Sequence, residues 1–126
     1  MNETEITAKE IVDIAFQIHS QIGPGLLESI YEKCFIHELQ SRNIKYSTQL
    51  YIDLNYKDMN LPNALKLDLI IDDTIIVELK ARENYHPVWK AQLLSYLKFT
   101  QTQIGFIINF NVPLIKEGIT RISYRP

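Results

Sequence analysis

At 126 residues, 46% of them apolar and 22% charged, with a net charge of −2, the chain is long enough for one core. It is neither a disordered tail nor a generally basic nucleic-acid binder, so any nucleic-acid contact must be local. A single cysteine, Cys34, excludes a disulfide framework and a thiolate zinc site. His19, His37 and His86 are too scattered for a ligand set, and no signal core or membrane-length apolar run is present, which predicts a cytoplasmic chain with one domain over 1–126.

A first helix is expected from near Thr4 or Thr7, with Ile11, Ile14, Ala15, Ile18 and Ile22 on one side and Thr7 and Glu10 spaced as a capping box. Gly23-Pro24-Gly25 ends it. A second helix follows over about Leu26–Arg42, burying Leu27, Ile30, Tyr31, Cys34, Phe35 and Leu39, with Glu28 in its first turn. An acid there gains about 0.3–1 kcal/mol from the helix dipole, which explains Glu28 without any function. The functional alternative is that the glycine-flanked turn brings Glu28 to the sheet with Tyr31 packed beside it. As a core residue, Tyr31 would keep its hydroxyl at the rim.

Ile44–Leu54 alternates as a half-buried strand, Asn55–Asn60 is a polar turn, and Pro62 limits regular pairing at the start of the next strand. Leu65–Ile71 and Thr74–Leu79 then flank Asp72-Asp73 as a hairpin. Leu65, Leu67, Leu69 and Ile71 form one apolar face, and Ile75, Val77 and Leu79 form another. Bringing both to one core needs odd residues opposite odd ones, hence an odd loop; a type I turn followed by a left-handed residue, three residues in all, satisfies this. The same register puts Asp68, Glu78 and Lys80 on a shared face.

Two carboxylates about 4 Å apart repel by roughly 4 kcal/mol at an effective dielectric near 20, more than one lysine offsets. A hard divalent cation resolves the conflict, and so does proton uptake by one acid. On this pattern alone, a solvated sheet face with a cross-strand Glu–Lys pair is the simpler reading.

After a loop at 82–87, Val88–Thr100 is expected to be helical, with Val88, Ala91, Leu94, Leu97 and Trp89 inward. Gln92 and Tyr96 share a face, as fitting for a solvated surface as for a site. Ile104–Phe110 reads as a strand covered on both faces and, following a helix, as a parallel crossover. Ile119–Tyr124 is a last edge strand.

So placed, Gly25-Leu-Leu-Glu28-Ser-Ile-Tyr31, Asp68, Glu78-Leu-Lys80-Ala81, Ala91-Gln92-Leu-Leu-Ser-Tyr96-Leu97 and Ile108-Asn109-Phe110 span nearly the whole chain. In that order they resemble the GxxExxY proteins of the PD-(D/E)XK nuclease superfamily. The resemblance implies an α/β fold with a restriction-endonuclease-like core, α-β-β-β-α-β, whose mixed sheet is flanked by helices. It implies that Asp68 and Glu78 hold Mg²⁺ or Mn²⁺, that Lys80 acts on the nucleophilic water, and that Glu28 completes the site. Gln92 and Tyr96 look like the Gln-x-x-x-Tyr element of the lambda-exonuclease-like branch and would support the site or contact DNA. The Leu79 carbonyl is a further candidate ligand, since carbonyls serve hard cations. Lys66, Arg82 and Lys90 would hold the phosphate backbone. Leu67 precedes Asp68 where the superfamily name has Pro, and Lys66 stands where these proteins usually carry Arg.

The expected activity is metal-dependent hydrolysis of nucleic acid, DNA first. The rival is a catalytically silent nuclease-fold binding or assembly module, and a third reading is a small-molecule or nucleotide hydrolase with the same metal site. A chain this small offers little surface to grip a duplex unless it forms a homodimer or recruits a partner.

Overall fold

Asn2 starts the first helix: its side chain accepts the Glu5 N–H at 2.8 Å, so α1 (Glu3–Ile22) begins before the Thr7–Glu10 pair. Thr7 is inside the helix and donates its hydroxyl to the Glu3 carbonyl instead of capping anything. This computed structural model describes residues Met1 to Pro126. α2 spans Glu28–Ser41, β1 Tyr46–Tyr56, β2 Met59–Ile71, β3 Ile75–Lys80, α3 Val88–Thr100, β4 Ile104–Asn109 and β5 Ile119–Ser123, with a 3-10 turn at Ile115–Gly118. From α2 to β4 the order is the expected α-β-β-β-α-β.

The sheet runs β1-β2-β3-β4-β5, antiparallel except for the β3–β4 pair. β4 is buried along its whole length because helices cover both faces, which its unbroken apolar run required. On one face α1 and α2 pack Ile11, Ile14, Tyr31, Phe35 and Leu39 against Leu69, Ile71, Val77, Leu79, Ile108 and Phe110. On the other, α3 packs Leu93 and Leu97 against Leu67, Ile76, Ile107 and Ile122.

Several apolar residues expected inside are outside. Leu27 is the N-cap of α2, in extended conformation and exposed, so the buried stripe is Tyr31, Phe35 and Leu39 at four-residue spacing, with Ile30 beside it and exposed. Ile22, the last residue of α1, is exposed as well. On α3 the inward face is Trp89, Leu93, Tyr96 and Leu97, while Val88, Ala91 and Leu94 face out. The seat for Leu93 explains the rotation: a Cβ on Gly105 would stand 2.9 Å from the Leu93 side chain, so the strand leaves a dent that only this phase of the helix fills.

The turn between β1 and β2 is also shorter than the polar run suggests, since pairing continues to Tyr56↔Met59. The irregularity comes later, at Pro62: Leu54 faces Leu61 but Ile52 faces Leu65, and left-handed Asn63 donates its N–H to Asp53 at 2.9 Å. The β2–β3 loop has the odd length the apolar pattern demanded, Ile71 facing Ile75 across Asp72, Asp73 and Thr74. Its conformation differs from the expected one. Asp72 and Asp73 both have φ of 54°, the left-handed pair of a type I′ turn, closed by Thr74 N–H to the Ile71 carbonyl at 3.0 Å.

Leu65–Ile71 does not present a single apolar face. Thr48 pairs with Leu69 and Leu50 with Leu67, but the intervening Gln49 is left-handed at φ 50°. Across that kink the sides exchange: Leu69 and Ile71 face α1 and α2, whereas Leu67, with Leu50 and Ile52, faces α3. Asp68 stands opposite Gln49, at the exchange point.

Candidate active site

β3 has unequal neighbours. It pairs with β4 over all six of its residues, from Ile75↔Ile104 to Lys80↔Asn109, but with β2 only at Ile71↔Ile75, Ile70↔Ile76 and Leu69↔Val77. Past Leu69 the two strands fork, and Asp68 and Glu78 reach across the opening. Glu78 Oε2 accepts the Asp68 N–H at 2.9 Å, and Asp68 Oδ2 accepts the Leu79 N–H at 3.0 Å. Each carboxylate thus replaces a missing ladder carbonyl with one oxygen and keeps the other. The side chains at 68 and 78 do meet, though through a fork and a kink and not through simple alternation.

Glu78 is only 5% exposed. Burial, and then the charge of Asp68, push its carboxyl from the usual 4.5 up to about 8. Asp68 is raised too, by burial, against the pull of the Leu79 amide and Lys80, with the charge of Glu32 adding to the rise. The pair titrates as a unit, and at neutral pH without a cation it carries fewer than two negative charges.

Glu28 is presented by a brace. The Tyr31 hydroxyl donates to the Gly23 carbonyl at 2.6 Å and accepts the Leu26 N–H at 3.2 Å, while its ring stacks on Phe110 with centroids 4.4 Å apart. Gly23 and Gly25, at φ 68° and 93°, let the chain reverse inside that brace, and Glu28 opens α2 just beyond it. Its carboxyl is raised by partial burial and by Asp68, and lowered by Lys80 and Arg82, so it shares the field of the fork. Tyr31 itself is fully buried and acts on the turn.

Lys80 is half-buried, its ammonium 5.4 Å from the centre of the Trp89 ring, and its charge lowers the pKa of Asp68, Glu78 and Glu28. From α3, Tyr96 reaches the same place: burial, Glu78 and Asp68 raise its hydroxyl, while a hydrogen bond from the Lys66 backbone pulls the other way. Gln92 and Lys90 stay exposed on α3, Lys66 extends over Tyr51 with Nζ 5.8 Å from the ring centre, and Arg82 is exposed beside the fork.

Three residues were given no role in the site by the sequence alone. Glu32, one turn after Glu28, faces Asp68 and takes hydrogen bonds from Gln49 Nε2 at 3.0 and 3.3 Å; its four-residue spacing from Glu28 was the available signal. Asn109, 4% exposed, accepts the Arg82 N–H and donates to the Arg82 carbonyl, both at 3.0 Å, locking the chain just past Lys80. Trp89 was placed inward, but nothing in its spacing said that Lys80 would lie on it.

Residues 5–122 match the family model of the PD-(D/E)XK nuclease superfamily. The chain belongs to that superfamily. No curated protein and no solved structure matches it. Members of the superfamily are in general phosphodiester-cleaving nucleases, which makes nucleic acid the substrate class, and they typically use divalent metal ions. No helix here is long and apolar enough to cross a membrane.

The donor set fits such an ion of the hard kind. Asp68 and Glu78 each keep one oxygen, without a cation their repulsion is relieved only by proton uptake and by Lys80, and the even residues of β3 bond to β4, as Lys80 does to Phe110, which turns the Leu79 carbonyl toward the fork. No three His, Cys, Asp or Glu side chains close around one point. That suits a Mg²⁺-type ion, which takes one or two carboxylates and completes its shell with water and substrate phosphate.

Proposed function

We propose that this chain is a Mg²⁺- or Mn²⁺-dependent deoxyribonuclease of the GxxExxY type, acting in the cytoplasm. The observation that carries the reading is the pair of buried Glu78 and half-buried Asp68 in the strand fork, with the Lys80 ammonium in the same field. Asp68, Glu78 and the Leu79 carbonyl would hold the ion, with Glu28 as the acid closing the site from α2. When bound, the ion supplies Lewis acidity to a phosphodiester oxygen and to the attacking water.

The protein's own part is orientation and charge. The Asp68 and Leu79 amides hold the two carboxylates in place, which aims their remaining oxygens at the opening. Lys80 orients the water and balances charge growing on the phosphoryl oxygens. Lys66, Arg82 and Lys90 hold the phosphate backbone, and Tyr96, with Gln92 on the same helix, supports the acid pair from α3. Lys80→Ala should cut cleavage of labelled DNA by about 10²- to 10³-fold, and Asp68→Asn should abolish it. Either variant cleaving at the parental rate, with normal folding, overturns the reading.

The second reading is a binding or assembly module that keeps the nuclease fold without turnover. Its support is that one oxygen of each acid is already taken by a backbone N–H. Calorimetric titration separates the two. Micromolar Mn²⁺ binding lost in Glu78→Gln supports the enzyme; no binding, with no cleavage of single-stranded, duplex or RNA substrates, supports the module.

A further inference from the structure

A hollow of about 430 Å³ opens where the loop after Lys80 meets the start of α3, lined by Arg82, Glu83, Asn84, His86, Val88 and Trp89. It adjoins the acid site at two points. Lys80 Nζ lies over Trp89, 5.4 Å from the ring centre, and Arg82 lowers the pKa of Glu28. Its floor is firm, because Asn109 holds both the N–H and the carbonyl of Arg82.

The lining has a specific chemistry. Trp89 is half-buried: Tyr85 braces it edge-on, with centroids 5.2 Å apart at 71°, Lys80 lies over its ring, and the indole surface that these two and the α3 core leave uncovered lines the hollow. His86 Nδ1 accepts the Val88 N–H at 3.1 Å, which leaves the proton of the neutral ring on Nε2 as a donor. A guanidinium suits a phosphate, an open indole suits the π-face of a base, and an amide with an imidazole N–H suits a base edge. Bases inside a duplex have both faces covered by their neighbours, so only an unpaired base or one at a strand end can offer a face to Trp89.

We propose that this hollow is a nucleobase subsite. It takes one unpaired base next to the phosphodiester that meets Asp68 and Glu78, which makes the substrate single-stranded nucleic acid or a frayed end. The proposal rests on the nuclease reading above for what happens to the neighbouring phosphate, but binding can be read without turnover.

Trp89 is the only tryptophan of the chain, so intrinsic fluorescence reports on the subsite directly. Titrating the whole protein in chelator with a short oligothymidylate should give saturable quenching, while an abasic strand of equal length and a relaxed closed circular duplex, which has neither loop nor end, should quench little. By anisotropy of a labelled strand, Trp89→Leu should weaken binding about 5- to 150-fold. Asn84→Ala, an exposed change that leaves the α3 packing alone, should weaken it about 2- to 10-fold. Absence of quenching by oligothymidylate, or equal quenching by the abasic strand or the closed circular duplex, overturns the subsite. DNA cleavage without quenching removes the subsite and leaves the nuclease reading standing; quenching without cleavage does the reverse.

Discussion

The two edges of β3 carry nearly the same residues to opposite ends. Toward β4 every position pairs, Asn109 closes the last turn, and Arg82 is tied down behind Lys80. Toward β2 pairing stops after three residues, and two carboxylates occupy the space where ladder bonds would run. The difference teaches that the site is an interruption in a sheet. A closed ladder uses up its backbone groups, whereas a fork leaves amides that hold acids and carbonyls that can face a cation. The rigidity of the closed edge lets the open edge keep its unfavourable charges in place.

The largest effect should come from breaking the closed edge. A Cβ at Gly118 would lie 2.1 Å from the Asn109 carbonyl oxygen, and that backbone cannot give way without moving the clamp on Arg82. Gly118→Ala should cost about 3 kcal/mol in urea denaturation, the upper end of ordinary overpacking. A change under about 0.5 kcal/mol would mean that the closed edge is not the rigid member of the pair.

The open edge should show itself in pH dependence. The folded Glu78 carboxyl sits at about 8 against an unfolded 4.5, so between those values the folded state binds more protons than the unfolded one. Its contribution is therefore complete at low pH and is lost as pH rises from near 5 through 8. In chelator, Tm should fall across that window; Glu78→Gln should flatten the slope, and Mn²⁺ at pH 8 should restore stability. A Tm that rises over the window, in wild type and Glu78→Gln alike, would show that the pair is not protonated in the fork.

How far this was legible follows the same division. Pairing parity was legible, because three aliphatic residues on β3 and their counterparts on β2 admit only an odd loop, and the loop is odd. The twice-covered β4 was legible from its apolar run. The kink at Gln49 was not: a glutamine in a polar-apolar alternation carries no mark of a positive φ, and the face exchange at Asp68 follows from it. The phase of α3 was not legible either, since aliphatic residues lie on both faces and the dent that chooses between them is Gly105 on another element. Asp68, Glu78 and Lys80 were found together by an argument from faces, yet they meet because strands part, a tertiary fact that no local period encodes.

A smaller effect belongs to the brace that presents Glu28 to the open edge. Tyr31→Phe keeps the ring on Phe110 but loses the bonds to Gly23 and Leu26, costing about 1–2 kcal/mol. Cleavage should fall further than this loss of stability accounts for, because Glu28 is released from its position while Asp68 and Glu78 are untouched. Equal kcat and KM in Tyr31→Phe and wild type, at a temperature where both are folded, would confine Tyr31 to the core and detach Glu28 from the site.

The smallest effect should come from the other end of the same strand pair, where β2 and β3 are still joined. Asp72 and Asp73 both sit at φ 54°, and a glycine in the second place of such a turn is free of Cβ strain, whereas a β-branched residue there is not. Asp73→Gly and Asp73→Val lose the exposed Lys45–Asp73 pair alike, so comparing the two cancels it and isolates the backbone. Asp73→Val should be less stable than Asp73→Gly by about 1 kcal/mol, and neither should alter DNA cleavage, since the three ladder pairs between the turn and the fork absorb the change. If Asp73→Val instead slowed cleavage at full folding, the fork would have to be coupled to its own turn, and the contrast between a rigid closed edge and an independent open one would no longer hold.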